Sequence, residues 1–187
     1  VFHMPPGDAL GAIMRSAAAE CRALPQAPVV VVANADVMWS ASKGSASPVA
    51  AAPAASAPVA PVAAAAAAVL RSDNAVMLLG GQALSAQGLK LADSIAQVTG
   101  CALMVETFNA RHERGTGVPA VARLPYFREM AVDKLAACKG LVLAGSRLPV
   151  AFFGSPGERS ELAPPGAEIV DLGPEASALD FLEAIAK

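Results

Sequence analysis

The most polar patch of the chain is Glu106-Thr107-Phe108-Asn109-Ala110-Arg111-His112-Glu113-Arg114-Gly115-Thr116-Gly117. Arg111 and Arg114 could meet an anionic group, and Gly115-Thr116-Gly117 lets backbone approach a ligand. His112 beside Glu113 could act as an acid/base pair. The plainer alternative is a solvated loop, or a loop that docks on another domain. Two further places could hold a phosphate. Gly80-Gly81 follows an apolar run and precedes a helical pattern, where backbone N–H groups could face an anion. Gly80-Gly81-Gln82-Ala83-Leu84-Ser85 lacks the G-x-G-x-x-G spacing and the Lys-Ser/Thr of a P-loop, so a tight turn explains it equally. Gly145-Ser146-Arg147 follows another apolar run, and Arg147 could reach a nucleotide phosphate or cap carbonyls at the surface. Gly154-Ser155-Pro156-Gly157 is a further loop. Ser85, Ser146 and Ser155 lack the G-x-S-x-G context of a nucleophile elbow. Cys21, Cys101 and Cys138 form no C-x-x-C pair, which predicts buried, inert thiols in a reducing compartment. With only His3 and His112, no His-rich metal site is expected, and His3 is given no role.

These candidates need elements to position them. From Asn74 onward the pattern alternates strand and helix. Apolar runs at 75–79, 101–105, 141–144, 150–153 and 168–172 predict five strands. Leu84, Gly88, Leu91, Ile95 and Val98 mark a helix closed by Gly100. Phe127, Ala131, Leu135 and Cys138 mark another, ended by Gly140. A last helix opens at Pro174-Glu175 and carries Leu179, Leu182 and Ile185, with Glu175 and Lys187 complementing its dipole. Pro61 and the alanines after it predict a short helix running to Arg71. Continuous apolar strands alternating with helices imply an α/β fold with a doubly wound parallel sheet, Rossmann-like. Its ligands would sit beyond the carboxyl ends of the strands.

The N-terminal part reads differently. Asp8 is an N-cap candidate, and Leu10, Ile13, Met14, Ala17, Cys21 and Leu24 repeat at helical spacing until Pro25. Pro28 to Ala33 is a β-branched run that suits a strand buried on both faces. One helix and one strand cannot bury those faces alone, so residues 1–39 read as the last αβ unit of a larger domain. Residues 40–60 are Ala, Ser and Pro with Lys43 as the one charge, which is linker composition and predicts an extended or mobile segment. The chain opens at Val1 rather than Met, as a fragment or processed piece would.

Composition narrows the function classes. Of the 187 residues, Lys plus Arg is 14 and Asp plus Glu is 16, so no basic surface argues for nucleic acid. The excess in the hydrophobic share of 55% is mostly Ala. The longest uncharged stretch, 44–70, is broken by Pro48, Pro53, Pro58 and Pro61, which argues against a membrane span. No signal-peptide pattern opens the chain. The expected location is cytoplasmic, or an organelle matrix in a eukaryote.

Several stretches together resemble one family. Ala35-Asp36-Val37-Met38-Trp39 after a Val-rich run, followed by an Ala/Pro linker, is similar to the end of the pyrimidine-binding domain of thiamine diphosphate-dependent enzymes. Leu78 to Leu84, Glu106 to Arg111, Arg123-Leu124-Pro125-Tyr126-Phe127 and Pro149 to Gly157 resemble their central domain, in acetolactate synthase large subunit-like and benzoylformate decarboxylase-like members. The resemblance divides the chain into the end of a pyrimidine-binding domain at 1–39, a linker at 40–60 and a central α/β domain at 61–187. It implies thiamine diphosphate and Mg²⁺ in the parent protein, held by domains that this chain lacks, in a homo-oligomer. The family's Gly-Asp-Gly motif is absent from the sequence, so no catalytic residue carries over and the chain alone is expected to be catalytically incomplete. The central domain of some members binds FAD or ADP, and of others nothing. Gly80, Gly81, Arg111, Arg114, Gly115 and Arg147 are the positions such a nucleotide would use. Three readings result: a piece of a 2-oxo acid synthase or decarboxylase, a stand-alone FAD- or ADP-binding module, or a non-catalytic assembly protein.

Overall fold

A computed structural model describes residues 1–4, 10–23, 27–41 and 57–187. They fall into two compact units, Val1–Ser56 and Ala57–Lys187.

In the first unit, β1 (Phe2–His3) pairs in parallel with β2 (Val31–Val32). Helix α1 (Leu10–Glu20) and the short α2 (Ala35–Trp39) complete its elements. The Val-rich run forms a strand as expected, over two residues only. It is not buried on both faces: Val30 and Val32 are 55% and 37% exposed. The described residues offer it one two-residue partner, too little to cover it. Helix α1 likewise keeps Leu10 and Met14 exposed and buries Ala17. The proposed cap at Asp8, the stop at Pro25 and most of the 40–60 linker lie outside the described residues.

The second unit begins with α3 (Ala60–Leu70), with Pro61 in its first turn as expected. Four strands follow: β3 (Ala75–Leu79), β4 (Ala102–Val105), β5 (Gly140–Ala144) and β6 (Glu168–Asp171). They form one sheet in the order β4-β3-β5-β6, every pairing parallel. The central strands β3 and β5 are buried at every position, as their unbroken apolar runs require. Successive side chains of β3 enter two cores. Ala75, Met77 and Leu79 face α3, α4 (Ala86–Thr99) and α6 (Ala178–Ile185). Val76 and Leu78 face α5 (Arg128–Leu135) and the Leu162-Ala163 segment. Helices on both faces of a parallel sheet make the fold doubly wound.

Several boundaries move. Residues 150–153 are not a strand of this sheet. Val150 forms a lone antiparallel bridge to Glu161, while Phe152 and Phe153 are 63% and 65% exposed. The run is apolar because its rings form a surface, not because a sheet buries it. Gly140 does not end a helix; it opens β5, where a side chain would collide with Val69 of α3. Helix α6 starts at Ala178, capped by Ser177, so Glu175 lies outside its first turn and Lys187 beyond its last. Helix α4 ends at Gly100 in the left-handed conformation, as expected, and is capped at its start by the Ser85 side chain. Cys101 and Cys138 are buried as expected, but Cys21 is exposed.

Candidate functional site

The strand order reverses between β3 and β5, because β4 lies on one side of β3 and β5 on the other. That reversal opens a crevice at the carboxyl ends of the strands, where open α/β sheets hold ligands. Here it is closely packed. A methyl group on Gly80 would lie 2.7 Å from the Gly145 carbonyl oxygen and from Ser146 Cα. Gly145, at φ +73°, would set its own methyl 2.7 Å from the Gly80 carbonyl oxygen. Only glycine fits this mutual approach. Gly80 donates its N–H to the Ala144 carbonyl at 3.0 Å. The buried Ser146 hydroxyl donates to the Leu78 carbonyl at 2.9 Å.

Glu106, directly after β4, reaches into this turn. Its Oε1 lies 2.7 Å from where a Gly80 side chain would begin. Its backbone N–H donates to the Leu79 carbonyl at 3.0 Å, which ties the loop to β3. The Gly81 and Arg147 backbone N–H groups and the Arg147 guanidinium favour its charged form. Burial nevertheless pushes the Glu106 carboxyl above the usual range, the three favourable contacts offsetting only part of that cost.

The 111–117 loop does not join His112 to Glu113. Glu113 Oε2 accepts the N–H of Ala86, the first residue of α4, at 2.8 Å, and its Oε1 accepts from Arg111 at 2.6 Å. The Glu113 backbone N–H donates to the Leu84 carbonyl at 3.0 Å. Glu113 is thus an anion at a helix N-terminus, where the dipole favours one. His112 lines a separate hollow of about 170 Å³ with Arg114, Gly115 and Val118. Burial lowers its pKa, and Arg114 and Arg123 lower it further, so the ring is neutral at pH 7. Neither its geometry nor its state makes an acid/base pair with Glu113. Of the six sequence candidates, Gly80, Gly81 and Arg147 meet at the crevice, Arg111 binds Glu113, and Arg114 and Gly115 line the hollow.

A cleft of about 210 Å³ extends from Glu106 and Arg147 toward Phe108, Tyr126 and Phe152. Its rim is aromatic. Phe108, Tyr126, Phe127, Phe152 and Phe153 form a chain of ring contacts with centroids 4.9 to 6.2 Å apart. All five are exposed, Phe153 by 65%. The chain has eight aromatic residues in total, so most of them gather here. Sequence reading quoted these segments but assigned the rings no site. The signal was their number, in a chain where aromatics are 4%. Glu106 was also missed as a site residue, although its place one step past a strand end marked it. Among the described residues no group of three His, Cys, Asp or Glu side chains could hold a metal ion. No helix of the described residues is long and apolar enough to cross a membrane.

No family model matches the chain. It is 44% identical over 179 residues, 95% of its length, to a Mycobacterium tuberculosis (strain ATCC 25618 / H37Rv) protein provisionally named acetolactate synthase large subunit IlvX. The chain spans about a third, 34%, of that relative's length. In structure it matches, over 98% of its residues and 39% of the other chain, a protein from Mycobacterium smegmatis. That protein is provisionally described as a thiamin diphosphate-dependent enzyme; the TM-score is 0.68 at 18% identity, so this likeness concerns the fold. The sequence match over nearly the whole chain and the shared fold both support the resemblance to acetolactate synthase large subunit-like members of the thiamine diphosphate-dependent enzymes.

Proposed function

We propose that this chain supplies the central α/β unit of a thiamine diphosphate-dependent 2-oxo acid enzyme of the acetolactate synthase type. The observation that carries the reading is the 44% identity across 95% of the chain. In this proposal residues 1–39 end a pyrimidine-binding domain, 40–60 link, and 61–187 form the central domain. The intact enzyme decarboxylates a 2-oxo acid and, as a synthase, joins the product to a second one. Thiamine diphosphate supplies the carbanion chemistry and Mg²⁺ its diphosphate anchor. The described residues do not fit either group: they offer no clustered ligand set, and the sequence has no Gly-Asp-Gly motif. The relative's name favours the synthase over a benzoylformate decarboxylase-like lyase.

The role of this unit is structural. The exposed aromatic surface supports that role, because clustered apolar exposure marks a contact face. Its occupant in this proposal is the remainder of the enzyme. The chain matches 34% of the relative's length, and the rest of that relative corresponds in this proposal to the remainder. The test is a chimera in which this chain replaces the matching stretch of the mycobacterial relative. The expected result is saturable, Mg²⁺-dependent thiamine diphosphate binding by the chimera as by the unaltered relative, and no pyruvate or benzoylformate consumption by residues 1–187 alone. A folded chimera without that binding, or turnover by the isolated chain, overturns the proposal.

A further inference from the structure

We infer that Glu106 and Glu113 are built-in anions that fill the phosphate positions of this doubly wound domain and close it to nucleotide diphosphates. In this architecture a dinucleotide's phosphates rest on the strand-to-helix turn and the helix start at the sheet's reversal point. Donors for such phosphates exist here, and those named below are already used. At the turn, Glu106 Oε1 lies 2.7 Å from where a Gly80 side chain would begin, and the Gly81 and Arg147 N–H groups and the Arg147 guanidinium favour its charged form. At the start of α4, Ala86 N–H serves Glu113, Gly88 N–H serves the Ser85 hydroxyl at 3.1 Å, and Leu89 N–H serves the Ser85 carbonyl at 2.9 Å. Arg111, which could meet a phosphate from the loop, instead pairs with Glu113.

The charge arithmetic leads to the same conclusion. Glu113 pairs with Arg111, and the Arg147 guanidinium favours the charged form of Glu106. A diphosphate at either place would compete with a carboxylate for these arginines. An entering diphosphate would have to expel one carboxylate and then lie beside both. Beside them, Gly80 and Gly145 approach so closely that even a methyl group on either would collide. The residues that suggest a nucleotide site are therefore the residues that hold the internal anions. This disagrees with the FAD or ADP binding of some relatives, and it leaves the stand-alone nucleotide module without a site.

The experiment uses the full chain, with Glu113→Ala, Glu106→Ala and their isosteric forms Glu113→Gln and Glu106→Gln. Thermal unfolding is followed with inorganic pyrophosphate and with ADP, against sodium chloride at equal ionic strength. The wild type should show no saturable shift with either probe. Glu113→Ala should lose about 2–4 °C of Tm, the size of a lost helix-start contact in a chain of this length. Pyrophosphate should restore most of that loss by seating on the vacated N–H groups. If either alanine variant fails to fold, the glutamine variant at the same position is measured, with a smaller loss and the same anion-specific recovery expected. Saturable ADP or pyrophosphate binding by the wild type overturns the inference. So does recovery that sodium chloride reproduces, or a variant that loses nothing. No arm uses thiamine diphosphate, so failure here leaves the enzyme reading intact.

Discussion

The crevice and the aromatic rim lie within one cleft but are built on opposite rules. In the crevice the Gly80 N–H, the Glu106 N–H and the Ser146 hydroxyl each have a backbone partner, and two glycines press backbone against backbone. On the rim, five rings contact one another and leave much of their surface in water. The crevice has spent its binding capacity on itself, whereas the rim still has apolar area to bury. A ligand position expected from the fold can therefore be a finished structural joint.

The sharpest way to break this comparison is to crowd the joint. Gly145→Ala adds a methyl 2.7 Å from the Gly80 carbonyl oxygen, at a positive φ that a side chain disfavours. It should cost about 2–4 kcal/mol, combining overpacking with left-handed strain, read as a fall in the urea midpoint. A loss under about 0.5 kcal/mol would mean the turns are looser than described.

The rim should answer in the opposite way. Phe152→Ser with Phe153→Ser should change the stability of the isolated chain by about 1 kcal/mol or less, since both rings are already mostly solvated. The same pair placed in the chimera should loosen its packing against the remainder of the enzyme, seen as faster proteolysis at the junctions than in the unaltered chimera. A large stability loss in the isolated chain would make the rings a core, not a contact face.

The smallest effect belongs to Glu106→Gln, and it lies in the pH profile. Because the folded carboxyl titrates above its ordinary value of 4.5, the folded state holds the proton more tightly than the unfolded chain. Its contribution is fully present below 4.5 and is lost as pH rises through the folded pKa. Glu106→Gln should remove that decline and flatten stability over the weakly acidic range. His112 acts with the other sign: its lowered pKa makes stability fall as pH drops below about 6.5 through the folded value, and this slope should survive the Glu106 change. Unchanged curves for Glu106→Gln would remove its burial from the account.

Much of the second unit was legible in the sequence because its physics is local. Ala75–Leu79 and Gly140–Ala144 are unbroken apolar runs, and only a strand covered on both faces can use such a run. Gly100 ended α4 where the pattern expected it. Phe152 and Phe153 misled for the same reason: apolar content signals burial, and an exposed contact face carries the same letters. The Val-rich run of the first unit forms its strand but stays partly exposed, consistent with the expectation that one helix and one strand cannot bury it alone.

The sequence by itself determined the sheet class, the helix faces and the family, because periodicity and shared residues need no knowledge of distant contacts. It also named Gly80, Gly81, Arg111 and Arg147 as anion-facing positions. Only the tertiary structure decided which anions they face. Arg111 and Glu113 are neighbours in the chain, but Ala86 stands 27 residues from Glu113, and Glu106 meets Gly81 and Arg147 only because parallel pairing aligns three strand ends. A carboxylate's partner is set by that long-range register, and no local pattern of residues encodes it.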